Sequence, residues 1–201
     1  MQRTHIFLCA PIVVLAACSS SSQSTTSGFL APDANNVIDG DIDEATRVGN
    51  QRQIPETRNG FVYTAGQLDD SGAYVAYAGQ KLNNAVDDRP ASGGATTFVG
   101  TYAIAEVTGI STDSATPNTE IADISFEVDF DTLTLTGESD NGKLSVDGQL
   151  TGTQGLTGSV AYQETAGALD GLVSGDEAIG VFHGSNDDTV FAGGFVGVPE
   201  D

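Results

Sequence analysis

Between Ile124 and Tyr162 the apolar residues fall on every second position. Ile124, Phe126, Val128 and Phe130 alternate with Ser125, Glu127 and Asp129, and Leu133 and Leu135 alternate with Thr132, Thr134 and Thr136. Beyond the turn signal Asp140-Asn141-Gly142, Leu144, Val146, Gly148 and Leu150 alternate with Lys143, Ser145, Asp147 and Gln149. Leu156, Gly158, Val160 and Tyr162 then alternate with Thr157, Ser159 and Ala161. A period of two sends successive side chains to opposite faces of a strand, so each run has one apolar and one polar face. Turns recurring about every 8 to 12 residues make this an antiparallel meander with one face buried.

Similar patterns predict strands near 96–105, 168–174, 178–184 and 189–197, giving roughly eight between 92 and 198. Eight strands can close on themselves, which removes the exposed edges that would pair with other chains. The predicted fold is therefore all-β, a roughly eight-stranded antiparallel up-and-down β-barrel behind a disordered, lipidated N-terminal tether. An open sandwich is the alternative. Phe126, Val128, Leu133, Leu144, Val146 and Phe182 are expected inside. Glycines within the strands, at Gly100, Gly148, Gly158, Gly171, Gly180, Gly193 and Gly194, suit a tightly coiled small barrel.

The N-terminus has a different logic. Arg3 and His5 precede an apolar run from Ile6 to Ala17, broken only by Pro11. That is shorter than the about 20 residues that cross a bilayer, and it reads as a secretory signal. Leu15-Ala16-Ala17-Cys18 resembles the lipobox of bacterial lipoproteins, which implies cleavage before Cys18 and a diacylglycerol on its thiol. An ordinary cleaved signal would leave the register of Cys18 and the serine-rich stretch behind it without a reason. With Cys9 in the signal and Cys18 carrying lipid, the mature chain has no thiol for a disulfide, a metal or a nucleophile. Ser19 to Gly28 is serine- and threonine-rich and reads as a flexible tether, continued by a mixed polar stretch to about Arg58. Lipoprotein acylation, palmitate included, adds several chains, which stable anchoring requires. Ser19 gives no aspartate for inner-membrane retention, so outer-membrane sorting is expected, on either the periplasmic or the cell-surface face.

Residues 59–91 are expected to pack on or extend the barrel. Phe61-Val62-Tyr63-Thr64 and Ala73-Tyr74-Val75-Ala76-Tyr77 flank the turn signal Asp69-Asp70-Ser71-Gly72 and suggest a hairpin, although the second run also fits the start of a helix through Leu82.

This is an acidic protein: seven basic residues face 28 acidic ones, and Lys143 is the only lysine or arginine after Arg89. Such a surface repels nucleic acid and anionic headgroups, so contact with a membrane must come from lipid. Asp39-Gly40-Asp41-Ile42-Asp43-Glu44 invites a calcium reading, but Glu44 stands where an EF-hand needs glycine and Asn50 where it needs glutamate. No metal site and no cofactor are predicted.

Several motifs occur together in a telling order. Pro90-Ala91-Ser92-Gly93-Gly94-Ala95-Thr96-Thr97-Phe98-Val99-Gly100-Thr101-Tyr102 comes first, then Val128-Asp129-Phe130 and Leu135-Thr136-Gly137. Gly175-Asp176-Glu177-Ala178-Ile179-Gly180-Val181-Phe182-His183-Gly184 and Phe191-Ala192-Gly193-Gly194-Phe195-Val196-Gly197 close the chain. Over about half its length the sequence thus resembles the barrel domain of transferrin-binding-protein-B-like lipoproteins. It departs at Ile179, where a glycine is usual, and lacks the proline before the acidic residue. The resemblance implies a non-enzymatic envelope binding protein. The best-known members bind host iron carriers or complement regulators from outside the outer membrane, and some relatives bind haem. Transferrin binding depends on an N-terminal lobe and long loops, so it does not carry over to a single short barrel, and no binding residue is transferred.

His183 is the only histidine outside the signal. At a strand end before Gly184 and Ser185 it reads as a surface residue rather than a catalytic base or an axial haem ligand. Catalytic residues are therefore none. The segment 108–120, with Gly109, Thr112, Asp113 and Asn118 as candidate ligand-binding residues, and the turn 185–188 have turn chemistry and belong on the surface. Function reads as a monomeric binding module for an unidentified protein or small ligand. A coat lipoprotein without a specific ligand, a haem-binding protein, and a hydrolase with an unseen site are the alternatives. If Cys18 is the anchor, Cys18→Ser moves the protein from the membrane fraction to a soluble or unprocessed form. A free, unacylated Cys18 in the wild-type mass spectrum overturns the assignment.

Overall fold

The computed structural model describes residues 23–30, 52–53, 59–67, 72–112 and 114–200. Eight strands form a closed antiparallel barrel: β5 (Ala95–Thr108), β6 (Thr116–Asp129), β7 (Thr134–Ser139), β8 (Leu144–Thr151), β9 (Gly155–Tyr162), β10 (Thr165–Val173), β11 (Ala178–Ser185) and β12 (Val190–Pro199). Each strand pairs with the next in sequence, and β12 returns to β5, with Phe195 opposite Tyr102. The remaining strands, β1 (Thr25–Phe29), β2 (Arg52–Gln53), β3 (Gly60–Gln67) and β4 (Tyr74–Lys81), form a second sheet in the order β1-β4-β3-β2.

The alternation sets the barrel interior. Ile124, Phe126, Val128 and Phe130 from β6 and its end meet Leu135, Leu144, Val146, Leu150, Leu156, Val160 and Phe182 in one core. Leu133 departs from this. It lies in the β6–β7 turn at a φ of 62° and is only partly buried, because the tight turn takes it out of the strand phase that carries Leu135 inward. The second apolar run of the 59–91 region is a strand, β4, hairpin-paired with β3, rather than a helix.

Glycine explains how eight strands fit around aromatic side chains. On β11 and β12 the inward residues pair as Gly180 with Phe195, Phe182 with Gly193, and Gly184 with Phe191. A Cβ on Gly193 would stand 2.8 Å from the Phe182 ring, and one on Gly184 2.5 Å from that of Phe191. Each ring therefore lies over the bare backbone of its cross-strand neighbour. Gly194 points the other way, where a Cβ would run into the ring of Phe61 from β3.

That contact belongs to a second core. Phe61, Tyr63, Ala65, Tyr74, Ala76 and Ala78 of the small sheet pack on Ala103, Ala105, Val107, Val181, Val190 and Ala192 from the outer face of β5, β11 and β12. Those three strands are thus buried on both faces, which is why their sequence lacks the clean alternation of β8. Polar ties fix the register of the two sheets. Asn59 donates to Glu177 Oε1 at 2.8 Å and accepts from the amides of Asn83 and Asn84, while Gln80 donates to Asp170 at 2.6 Å.

The tether reading changes at its edge. Residues 25–29 pair in parallel with β4, and Ser27 and Phe29 contact His183. A serine- and threonine-rich segment lacks core side chains, but the unpaired edge of β4 supplies a complete set of backbone partners.

Val128 is fully buried and Glu127, one residue away, faces out. Val128→Asp is expected to unfold the barrel, since a buried unpaired carboxylate costs several kcal/mol. Glu127→Lys is expected to change stability by no more than about 0.5 kcal/mol. Denaturant melts showing equal effects would contradict the assigned faces. At Gly193 and Gly194 the prediction separates the two layers. Gly194→Val weakens docking of β3 and β4, whereas Gly193→Val strikes the barrel core, each by about 1–3 kcal/mol or more. Hydrogen exchange resolved by strand distinguishes them.

Candidate functional site

The two ends of the barrel differ. At one end the connection from β4 to β5 runs across the turns. The Arg89 amide donates to Thr153 O at 2.9 Å, and Gln154 reaches Val86 O at 2.8 Å. Asp131 accepts from the Gly93 amide, and Phe130 N donates to Gly94 O. The opposite end is ringed by four turns, β5–β6, β7–β8, β9–β10 and β11–β12. Both segments picked out from sequence as surface loops, 108–120 and 185–188, meet there.

The first is shorter than expected. β5 extends to Thr108 and β6 starts at Thr116, so the excursion is 109–115 and residues 116–120 continue the ladder opposite 104–108. Gly109, at a φ of 76°, offers its carbonyl to Thr112 N, Thr112 Oγ1 and Ser114 N. Asp113 lies outside the described residues. Asp188 from the β11–β12 turn clamps the excursion: its carboxylate accepts from Gly109 N at 3.3 Å, Ser111 N at 3.2 Å and Ser111 Oγ at 2.5 Å. The Ser111 hydroxyl and amide, with the Gly109 amide, hold the Asp188 carboxyl below its ordinary range. Asn118 is a strand residue, and its amide donates 2.9 Å to Glu106 Oε1 inside the barrel.

Glu106 and Glu120 were not singled out from sequence. Both continue the inward phase, after Tyr102 and Ile104 on β5 and before Ala122 and Ile124 on β6. An acidic residue on a core phase was the signal available. Glu120 bonds the Tyr102 hydroxyl and the Lys143 ammonium, and it accepts from Asn141 Nδ2 at 2.6 Å. Burial works to raise its carboxyl pKa, but the bonds from Lys143, Tyr102 and Asn141 outweigh it and the net direction is down. Burial, with Glu120 second, pushes the Tyr102 phenol up to about 12. Burial also pushes Tyr162 up, with the charge of Glu106 adding to the effect. Both phenols are therefore held protonated, and each serves as a donor: Tyr162 to Glu106 Oε1 at 3.4 Å, Tyr102 to Glu120.

A pocket of about 550 Å³ opens at this end, lined by Glu106, Thr108, Tyr162 to Thr165, Asn186, Asp188 and Thr189. A second hollow of about 620 Å³ lies on the outer wall between Asn59, Glu177 and Val198.

His183 is not at a free strand end. It lies on the outer face of β11 beneath β1, with Nδ1 2.9 Å from Ser27 Oγ and the Phe29 ring edge-on at 4.4 Å. Burial pulls its pKa down. Ser27 Oγ in turn donates to Ser185 Oγ at 3.2 Å. No carboxylate bonds the ring among the described residues, so the serine–histidine contact lacks the third group that orients a catalytic imidazole. The acidic segment 39–44 lies outside the described residues. Among the described residues no group of three or more His, Cys, Asp or Glu side chains is placed to hold a metal ion.

Neither a protein-family model nor a curated protein matches the sequence. Among solved structures the chain is similar to intact Ap-TbpB with its N and C lobes, at 17% identity over 78% of this chain and 39% of that one, TM-score 0.47. It is similar to isotype 1 transferrin binding protein B from serogroup B Neisseria meningitidis, at 12% identity over 82% of this chain and 37% of that one, TM-score 0.48. It is also similar to HpuA from Kingella denitrificans, solved in complex with human haemoglobin, at 14% identity over 75% of this chain and 59% of that one, TM-score 0.38. The chain spans less than two thirds of the length of each. No residue, ligand or partner is taken from them.

The pKa directions set a pH window. The two raised phenols contribute stability that is complete below the ordinary tyrosine value of 10.0 and is lost as pH rises above it, towards about 12 for Tyr102. The lowered Glu120 contributes stability that is lost as pH falls through the carboxylate range. Phenolate absorbance is expected to show Tyr102 and Tyr162 ionising late, together with alkaline unfolding, and Tyr102→Phe is expected to remove one of these late phenols. A Tyr102→Phe variant that loses an early phenol and no late one would contradict this.

Proposed function

We propose that this chain is a lipid-anchored, non-enzymatic binding module of the bacterial envelope, which engages a protein or small ligand through the barrel end carrying the 109–115 and 186–189 turns. The observation that carries the reading is the inequality of the two ends. One is crossed by the chain's own 82–94 connection, and the other holds an open pocket among clamped turns. Binding surfaces are commonly loops held on a rigid scaffold, and Asp188 supplies the rigidity here.

The anchor bears on the geometry. β1 runs parallel to β4, and Thr25 is placed beside Tyr74, near the open end. From Cys18 to Thr25 is seven residues, which reach at most about 25 Å when fully extended. An acylated Cys18 would therefore keep the open end close to the membrane. A partner that reaches it is either small or itself seated at the membrane surface. Haem binding draws no support from His183, whose ring is covered by Phe29 and Ser27 rather than facing a pocket.

The test is affinity capture with the full chain in detergent, compared with a variant whose 109–115 excursion is replaced by a two-residue turn. A partner held by the wild type and by His183→Ala, and lost from the loop variant, is the expected outcome. Identical eluates from the wild type and the loop variant would refute the assignment of this end. Titration with haemin is expected to give no specific Soret band.

A further inference from the structure

We propose that the pocket at the open end of the barrel is a receptor for an organic cation, an ammonium or guanidinium group inserted towards Glu106. The inference deepens the binding-module reading and rests on it for the choice of barrel end. Its chemistry comes from one side chain. Glu106 is only 5% exposed, yet it lines the pocket. Its two protein partners, the Asn118 amide and the Tyr162 hydroxyl, are both neutral donors and both address Oε1. Oε2 receives no hydrogen bond among the described residues.

Among the described residues no cation forms an ion pair with it, and Lys143, whose pKa is raised by its bond to Glu120 and also by the Glu106 charge, pairs with Glu120 instead. Lys143 is the only lysine or arginine after Arg89, and its ammonium is bonded to Glu120. Arg89 is committed at the far end, where its guanidinium donates to Gly152 O. Both donors address Oε1, so Oε2 is the oxygen that the protein leaves for a donor entering from the pocket. A cationic donor forms a charge-assisted bond with a carboxylate there, roughly twice as strong as the bond a neutral donor makes.

The surroundings select for sign and for class. Glu164 and Asp188 line the same pocket, so an anion entering it would meet three carboxylates. The remaining lining from Thr108, Thr165, Asn186 and Thr189 offers hydroxyl and amide groups, suited to the several N–H donors of an ammonium or guanidinium. The carboxylates are not grouped to hold a metal ion. A volume of about 550 Å³ admits a group of that size with its aliphatic stem.

The experiment titrates the full chain in detergent with n-butylammonium and n-butylguanidinium, using the neutral isostere butyramide as control, and follows binding by calorimetry and by the NMR signals of Asn118 and Tyr162. Saturable binding of at least one cation, with none of butyramide, is expected. Glu106→Gln keeps the shape and both acceptor bonds, and it is expected to weaken the cation about tenfold or more without lowering the melting temperature. Glu127→Gln, on the outer face, should bind as the wild type does. No saturable cation binding by the wild type, or equal binding by Glu106→Gln, overturns the proposal. If Glu106→Gln fails to fold, the wild-type shifts decide: Asn118 and Tyr162 signals that move no more with the cations than with butyramide overturn it. An acetylated lysine-containing peptide separates the sources. Binding tighter than that of free butylammonium points to a basic side chain on a protein partner, and equal or weaker binding points to a small amine. A partner captured through the 109–115 excursion without cation binding would refute the cation site alone.

Discussion

Two adjacent glycines let this barrel hold a core on each side of one strand. At Gly193 the Phe182 ring presses on the backbone from inside, and at Gly194 the Phe61 ring presses from outside. A side chain at either position would lift a ring off the strand and open a gap in one of the two cores. Gly180 beneath Phe195 and Gly184 beneath Phe191 repeat the inner contact along the β11–β12 ladder. Small barrels have little interior volume, and here aromatic rings occupy it because their cross-strand neighbours contribute none. The outer sheet can dock because β5 and β12 present Ala103, Ala105, Ala192 and Gly194 where bulkier residues would hold it away.

Docking of that sheet organises the rest of the surface. It covers β5, β11 and β12, and its chain then continues around the far end, where Asn59, Arg89 and Gln154 tie it to the barrel turns. The asymmetry of the two ends follows from this path of the chain. It leaves one ring of turns uncovered, and Asp188 draws the longest of them, 109–115, onto the β11–β12 turn.

Charge is distributed with the same economy. A chain with seven basic residues against 28 acidic ones has few cations to place inside. The open end of the barrel has one, Lys143 in the β7–β8 turn, and uses it on Glu120 within a network that includes Tyr102 and Asn141. The hydrogen bonds to Glu106 come from two neutral donors, Asn118 and Tyr162. Both of those bonds fall on Oε1, and the same side chain lines the open pocket.

Local alternation was enough to read the strands from Ile124 to Tyr162 and their inward faces, because period-two patterning is written residue by residue, whereas closure rather than an open sandwich came from the pairing of β12 with β5. Alternation could not place Leu133, whose side chain is turned by a tight bend, nor the strand at 25–29, whose serine- and threonine-rich setting reads as a tether and which gains its partners from the edge of β4. The strand glycines were visible, but which ring each one accommodates depends on register across strands distant in sequence. The same holds for the site. Gly109 and Thr112 were legible as turn residues, whereas Asn118 reads as a loop residue until pairing of 116–120 with β5 turns it inward. What the sequence determined by itself was the strand periodicity, the acidic balance and the cysteine in its lipobox-like setting, all properties of neighbouring residues. What only the tertiary structure decided was which barrel end stays open and that Glu106 lines the pocket there, since both follow from where segments far apart along the chain come to rest.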